Sequence, residues 1–397
     1  MKILLTHFSY YRKNGWGRIF EETKGLAALG HNVTLLCGDE TIGCFYKTHY
    51  EQSVKIVSFS DLFPRKYGNT GYGFLSILIK CIFVITHKYD ICHCNSHRPN
   101  SYIPCKVNRF FHGSKLYIEW WDNFEEKANA ISGKKLLSTL LKRYEKTTAI
   151  SSKQSADGVI VLSSLLAQRA SEIGISDDRV CMIYGGSNTD KLSYNPSTEE
   201  YKKKLGISPE ITTFGFIGNG DGEIDDLKPL LKALIDTKQR INVRFLNIGR
   251  PFIKTIQKMP ELKDLIVECG WVDYYSDSSA LSAVDVFVLI KQENIINNSG
   301  WPNKFGDYLA VGRPVLVNPY GEVEVFAQKW NPGLIKTKYD KESIAKSITD
   351  ICSNKYDLRR FGKVNRKIAE ENSWMEKAKE IDSFYKRRLD NELKDQA

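Results

Sequence analysis

The chain has 397 residues, enough for two or three domains at ~100–200 residues each, which excludes a miniprotein held together by staples. With 42% hydrophobic and 26% charged residues and only 12 prolines, its composition is that of a globular protein and not of a disordered or fibrous one. Lys and Arg total 57 against 47 Asp and Glu, and the net charge of +10 favours anionic partners (nucleotide phosphates, acidic lipid headgroups or nucleic acid) without choosing among them.

Residues 2–7 read as a short buried strand, a turn-rich stretch with Gly15 and Gly17 follows, residues 20–29 carry helix-spaced apolar side chains ending at Gly30, and residues 31–36 form a second strand. This succession is a βαβ unit, which implies a parallel sheet with helices on its faces. The pattern recurs with strands at 54–59, 90–94, 115–120 and 158–162 and helices at 74–86 and 136–149. Residues 74–85 are the most apolar stretch; Lys80 interrupts them and they fall short of the ~20 residues of a spanning helix, so a buried helix is expected. The polar stretch 195–200 looks like a linker. A second series follows: strand 213–217 into Gly218-Asn219-Gly220, helix 227–235, strand 243–248 into Gly249, strands 265–268 and 285–290, helix 304–310 and strand 314–317. The tail 373–388 has helical spacing. The expectation is a doubly wound α/β chain of two Rossmann-like domains facing a cleft, with ligands at the strand ends.

Nine cysteines, an odd number without a Cys-x-x-Cys pair, sit mostly in apolar runs and imply reduced thiols. Met1-Lys2 precedes no apolar core of signal-peptide length, so a cytoplasmic chain is expected. Gly15-Trp16-Gly17 after the first strand would let backbone amides at a helix start approach a phosphate or sugar, with a plain tight turn as the competing reading. Ile19 and Phe20 stand where a third glycine would complete a dinucleotide fingerprint, and no Gly-x-x-x-x-Gly-Lys-Ser/Thr occurs. No metal-ligand spacing of His and Cys appears, so neither metal nor cofactor is expected.

The segment Trp301-Pro302-Asn303-Lys304-Phe305-Gly306-Asp307-Tyr308-Leu309-Ala310-Val311-Gly312-Arg313-Pro314-Val315 resembles the Pro-Asn-Lys-x-x-acid-Tyr-x-Ala-x-Gly-x-Pro-Val signature of glycosyltransferase family 4. The opening glycine loop, Gly30-His31-Asn32-Val33, Tyr89-Asp90-Ile91-Cys92-His93, Asp157-Gly158-Val159 and Gly270-Trp271-Val272 fall in that family's order. The resemblance implies a retaining transferase of GT-B fold. In it, residues 1–195 bind a glycan or lipid-linked acceptor, 196–372 bind a UDP- or GDP-sugar donor, and a last helix, 373–397, crosses back. It further implies that Asp307 accepts ribose hydroxyls, that Lys304, one turn earlier, meets the diphosphate, and that the backbone at Trp271 and Val272 reads the base. Gly17, Gly218, Asn219 and Asn303 would complete the donor site.

This chain departs from the pattern in two places. Relatives often carry Arg and Lys after the first strand of the second domain, where Gly218-Asn219-Gly220-Asp221-Gly222-Glu223 supplies acids and an amide; and Ser299 stands where many have a first glutamate. For that glutamate's contact with the donor sugar, Lys291, Asn297 and Asn298 are the substitutes at hand; the grip on the diphosphate must come from elsewhere. In the first domain, His93 and Arg98 follow one strand end and Asp122 another; Arg98 could grip a phosphate and Asp122 orient a sugar hydroxyl, structural roles being the alternative for each. The basic runs lack the aromatic interleaving of single-strand binders, so an anionic membrane surface, met through Arg12, Lys13, Arg18 and Lys66, is expected in place of nucleic acid. A nucleotide-sugar epimerase or hydrolase and a non-catalytic binding module are the rival readings.

Overall fold

The structure, a computed structural model, describes residues 1–41, 45–61, 68–121, 136–192 and 198–395. The chain divides into two compact units, one of residues 1–185, 299–301 and 374–397 and the other of residues 186–298 and 302–373. The boundary expected at 195–196 lies outside the described residues.

In the first unit, β1 (Lys2–Tyr10), β2 (Asn32–Asp39), β3 (Tyr46–Glu51), β4 (Val54–Ser60), β5 (Ile91–Cys94), β6 (Lys115–Trp120), β7 (Gly158–Val161) and β8 (Val180–Met182) form one sheet in the order β3-β4-β2-β1-β5-β6-β7-β8. Only β3 and β4 pair antiparallel; the other pairs are parallel. Side chains alternate across a strand, so Ile3 and Leu5 join a core with Ile19 and Phe20 of helix Trp16–Ala28 and Ile381, Phe384 and Tyr385 of helix Trp374–Asp395. Leu4 faces the opposite core, with Phe83 and Val84 of helix Phe74–Ile85 and Cys105 of helix Pro99–His112. Both faces are covered, which is why β1 reads as an unbroken apolar run. Helix Trp374–Asp395 approaches helix Trp16–Ala28 at Gly25, where a Cβ would lie 2.4 Å from that of Ala378.

Helix Phe74–Ile85 differs from expectation. An apolar face is exposed at Phe74, Leu78, Ile82 and Ile85, and the residues that the helix buries completely are Ser76, Lys80 and Val84. Edge strand β3 carries no apolar alternation and is mostly exposed, which explains its absence from the sequence reading.

The second unit repeats the plan with β9 (Thr212–Asn219), β10 (Val243–Arg250), β11 (Ile266–Gly270), β12 (Val286–Leu289), β13 (Val315–Val317) and β14 (Leu334–Lys336), all parallel, in the order β11-β10-β9-β12-β13-β14. Among the described residues no helix is long and apolar enough to cross a membrane.

Candidate functional site

In the second sheet the chain leaves β9 towards β10 on one side and later places β12 on the other, so the carboxyl ends of β9 and β12 flank a topological switch point, the place where open α/β sheets bind ligands. Four charged side chains meet there. Glu223, in the turn after β9, holds Lys304 Nζ at 2.9 Å and Lys291 Nζ at 3.0 Å. Asp226 takes Lys291 at 2.7 Å and also accepts from the Gln292 amide and Asn297 Nδ2. The Asn219 amide donates to Glu223 Oε1 at 3.1 Å, and Gly218 leaves that oxygen room, since a Cβ there would come within 2.4 Å of it.

Lys304 lies in the first turn of helix Asn303–Ala310, 4.1 Å from the Phe216 ring centroid. Burial lowers its pKa to about 8 despite Glu223, whereas in Lys291 the two carboxylates outweigh burial and raise it. Glu223 is held down, against burial, by the two ammonium groups. The neighbouring Asn303 is exposed.

On the same helix Asp307 accepts from the Tyr274 hydroxyl at 3.0 Å on Oδ2 and from the Tyr275 hydroxyl at 3.0 Å on Oδ1. The sequence places this carboxylate off the apolar face, but it is only 5% exposed: the helix packs on both sides, with Tyr308 stacked on Phe287 and accepting from the Ile217 amide. Trp271 is 81% exposed, which excludes a core role for its ring. With Val272, Tyr274, Gly218, Asn219 and Arg250 it lines a cavity of about 310 Å³. Gly249 also lines it, at φ +138°, where a Cβ would lie 2.2 Å from the Gly218 carbonyl oxygen, so no other residue fits.

The first sheet reverses between β1 and β5. Gly15, at φ +77°, leads into helix Trp16–Ala28, and a Cβ there would come within 2.6 Å of the Trp121 ring; Gly17 is exposed with open space around it. Arg18, a candidate membrane contact from sequence, is instead 4% exposed and bridges Glu22 and Glu119, each at 2.9 Å. Trp121 Nε1 donates to the other oxygen of Glu119. His93 is fully buried on β5, with Nδ1 2.5 Å from the Tyr385 hydroxyl and Nε2 3.9 Å from Glu119. Burial lowers the His93 pKa and raises that of Glu22 well above the carboxylate range. Glu22, His93 and Glu119 bring ligand atoms within 4.8 Å of one another, yet the cation between the two carboxylates is Arg18 itself.

Arg98 stands at the N-cap position of helix Pro99–His112, its side chain donating to the Thr70 carbonyl at 2.9 Å, with Nε 3.5 Å from Glu145. Glu145 also receives the Tyr72 hydroxyl and pairs with His97 Nε2 at 2.5 Å. Asp122 lies outside the described residues. Glu223, Asp226, Tyr274, Tyr275 and Glu145 are the partners that sequence reasoning missed; the acids of Gly220-Asp221-Gly222-Glu223 were visible only as a departure.

Residues 18–191 match the model of Glycosyltransferase Family 4, and residues 211–354 that of Glycosyl transferases group 1. An uncharacterized glycosyltransferase of Methanocaldococcus jannaschii is 21% identical over 248 residues, 62% of this chain and 62% of that relative, so the match spans less than two thirds of the curated relative's length. Among solved structures, sucrose-phosphate synthase of Thermosynechococcus elongatus superposes with a TM-score of 0.74 at 13% identity, covering 98% of this chain and 99% of that one. Anabaena HepE in complex with UDP and glucose does so at 0.68 and 15%, covering 97% and 99%. At such identities the likeness is one of fold, and the fold is GT-B. The two matched segments, in this order and on these two Rossmann-like units, make the chain a member of glycosyltransferase family 4.

Proposed function

We propose that this glycosyltransferase moves a hexosyl group from a UDP- or GDP-sugar to a glycan or lipid-linked acceptor, with retention of configuration and without a metal, at the inner face of the cell membrane. The observation that carries the reading is the pair Lys291 and Lys304, held by Glu223 and Asp226 at the β9–β12 switch point. A departing nucleoside diphosphate needs fixed positive charge more than it needs a base, and these two ammonium groups supply it where relatives use Arg and Lys. Glu223 occupies the diphosphate's position between them and yields to it. The base lies in the cavity at Trp271 and Val272, with Gly218, Asn219 and Asn303 around the diphosphate. Asp307 takes the ribose, exchanging one tyrosine hydroxyl for a ribose hydroxyl.

The acceptor belongs to the first unit, near Gly17, Arg98, Asp122 and His93. Among these, His93 acts by holding Glu119 and Tyr385 in place, being fully buried. The test is a panel of nucleotide sugars incubated with and without lipid-linked acceptors in the presence of chelator. Transfer dependent on acceptor is expected. Release of free sugar without acceptor would instead point to a hydrolase, interconversion of the donor to an epimerase, and activity restored only by Mg²⁺ or Mn²⁺ would overturn the metal-free mechanism.

A further inference from the structure

Helix Phe74–Ile85 is built inside out. Its buried positions are Ser76, Lys80, Phe83 and Val84, and two of these four are polar. Ser76 Oγ donates to Asn100 Oδ1 at 3.0 Å, and Lys80 Nζ donates to the Asn100 carbonyl at 3.1 Å and the His7 carbonyl at 3.4 Å. The outward face is hydrocarbon: Phe74 is 78% exposed, Leu78 47% and Ile82 58%, with Ile85 beyond them. A helix bathed in water turns its lysine out and its phenylalanine in. The reverse arrangement fits an apolar medium outside.

A second, adjoining helix also exposes aromatic side chains. Asn108 Nδ2 donates to the Val84 and His87 carbonyls at 2.7 Å, and His112 Nε2 sits 2.8 Å from the Ile85 carbonyl, so helix Pro99–His112 is fastened to the end of helix Phe74–Ile85. There it adds Phe110, 84% exposed, and Phe111. The two segments themselves are basic. Residues 74–89 and 99–118 contain no Asp or Glu, while carrying Lys88, Lys106, Arg109 and Lys115; Arg109 is paired with Asp157 at 3.1 Å, and Lys88 and Lys106 are exposed. Of the basic residues put forward from sequence, Arg18 is buried, Arg12 is paired with Glu51, Lys13 with Glu40, and Lys66 lies outside the described residues.

We infer that this face of the first unit rests on an anionic lipid bilayer, with Phe74, Leu78, Ile82 and Phe110 in the acyl boundary and Lys88 and Lys106 at the headgroups. A helix of 12 residues reaches roughly 18 Å, too short for the ~30 Å hydrocarbon core, so it lies in the plane of the interface. A second copy of the chain is the poorer occupant, because a two-fold contact would set one cationic rim against another. The inference rests on the reading of a transferase working at a membrane and names the surface it uses. The two fail separately, since vesicle binding needs no donor and donor binding needs no vesicle.

The test is co-sedimentation of the full chain with phosphatidylcholine vesicles with and without phosphatidylglycerol, at low and high salt, beside calorimetric UDP binding and sedimentation velocity. Wild type is expected on the phosphatidylglycerol vesicles. The double variant Leu78→Glu, Ile82→Glu, altering exposed positions only, should partition at least ~10-fold less, with Tm and UDP affinity unchanged. Lys106→Glu should lower binding to phosphatidylglycerol vesicles alone. Vesicle binding by the double variant equal to wild type, or a wild-type dimer that the double variant converts to monomer, overturns the proposal.

Discussion

Lys304 and Asp307 lie one helical turn apart within a single segment, which is why both were legible in the sequence; what each of them touches was not. The partners Glu223 and Tyr274 are 81 and 33 residues away along the chain, beyond the reach of any local spacing. The structure sharpens the consequences. With its pKa lowered to about 8, Lys304 is cationic below that pH and loses its proton as pH rises through it, so a diphosphate arriving at higher pH must bring the proton back. Titration of UDP in buffers of different ionisation enthalpy should show proton uptake approaching one at about pH 9, with affinity falling by up to ~10-fold per unit above pH 8. Lys304→Ala should remove that dependence and weaken UDP more than uridine; a proton count that stays at zero would dissociate Lys304 from the phosphate. Asp307→Ala should weaken both ligands. Were the carboxylate solvent-facing, its loss would change stability within ~0.5 kcal/mol; buried under two tyrosine hydroxyls it should cost ~1–3 kcal/mol, read from urea unfolding.

At the scale of elements, the βαβ order was readable because strands covered on both faces are continuous apolar runs and the helices between them keep their period. Direction was not readable. Residues 74–85 are apolar all round except for Ser76 and Lys80, and only the three-dimensional contacts of these two reveal which side turns inward. Glycines separate in the same way. Gly25→Ala places a methyl against Ala378 and should destabilise by ~1–3 kcal/mol, although alanine is the better helix former. Gly17→Ala, with open space around it, should be neutral or slightly stabilising by thermal unfolding, and an equal loss in both would mean that the helix crossing is not tight. The ends of β1 and β5 carry a pH liability as well. Burial lowers His7 from 6.5 to about 3 and His97 from 6.5 to about 4, so both stay neutral in the folded state while the unfolded chain takes up their protons. Stability from this source is complete above pH 6.5 and declines as pH falls towards 4, at about 1.4 kcal/mol per unit for each group. Urea midpoints measured from about pH 7 down to 4 should fall accordingly, and less steeply in His97→Gln; parallel slopes would remove His97 from the account.

At the scale of the molecule, the residues of the first unit are not contiguous: helix Trp374–Asp395 supplies Ile381, Phe384 and Tyr385 to a core otherwise made from the first half of the chain. Deleting residues 374–395 should therefore abolish cooperative unfolding of the first unit, followed by near-ultraviolet circular dichroism, while the second unit, complete without that helix, keeps its transition. Addition of the helix as a separate peptide should restore part of the lost signal, and an unaltered first transition in the deletion would show the helix to be peripheral. The same break in continuity governs biosynthesis. A ribosome delivers the first unit's sheet early and its closing helix only after the whole second unit has been made, a delay on the order of ten seconds or more at ~5–20 residues per second. Through that interval one apolar face of the sheet is covered by helix Trp16–Ala28 but lacks its closing helix, so the part of the protein made first is completed last, and a holding chaperone should find its binding site there.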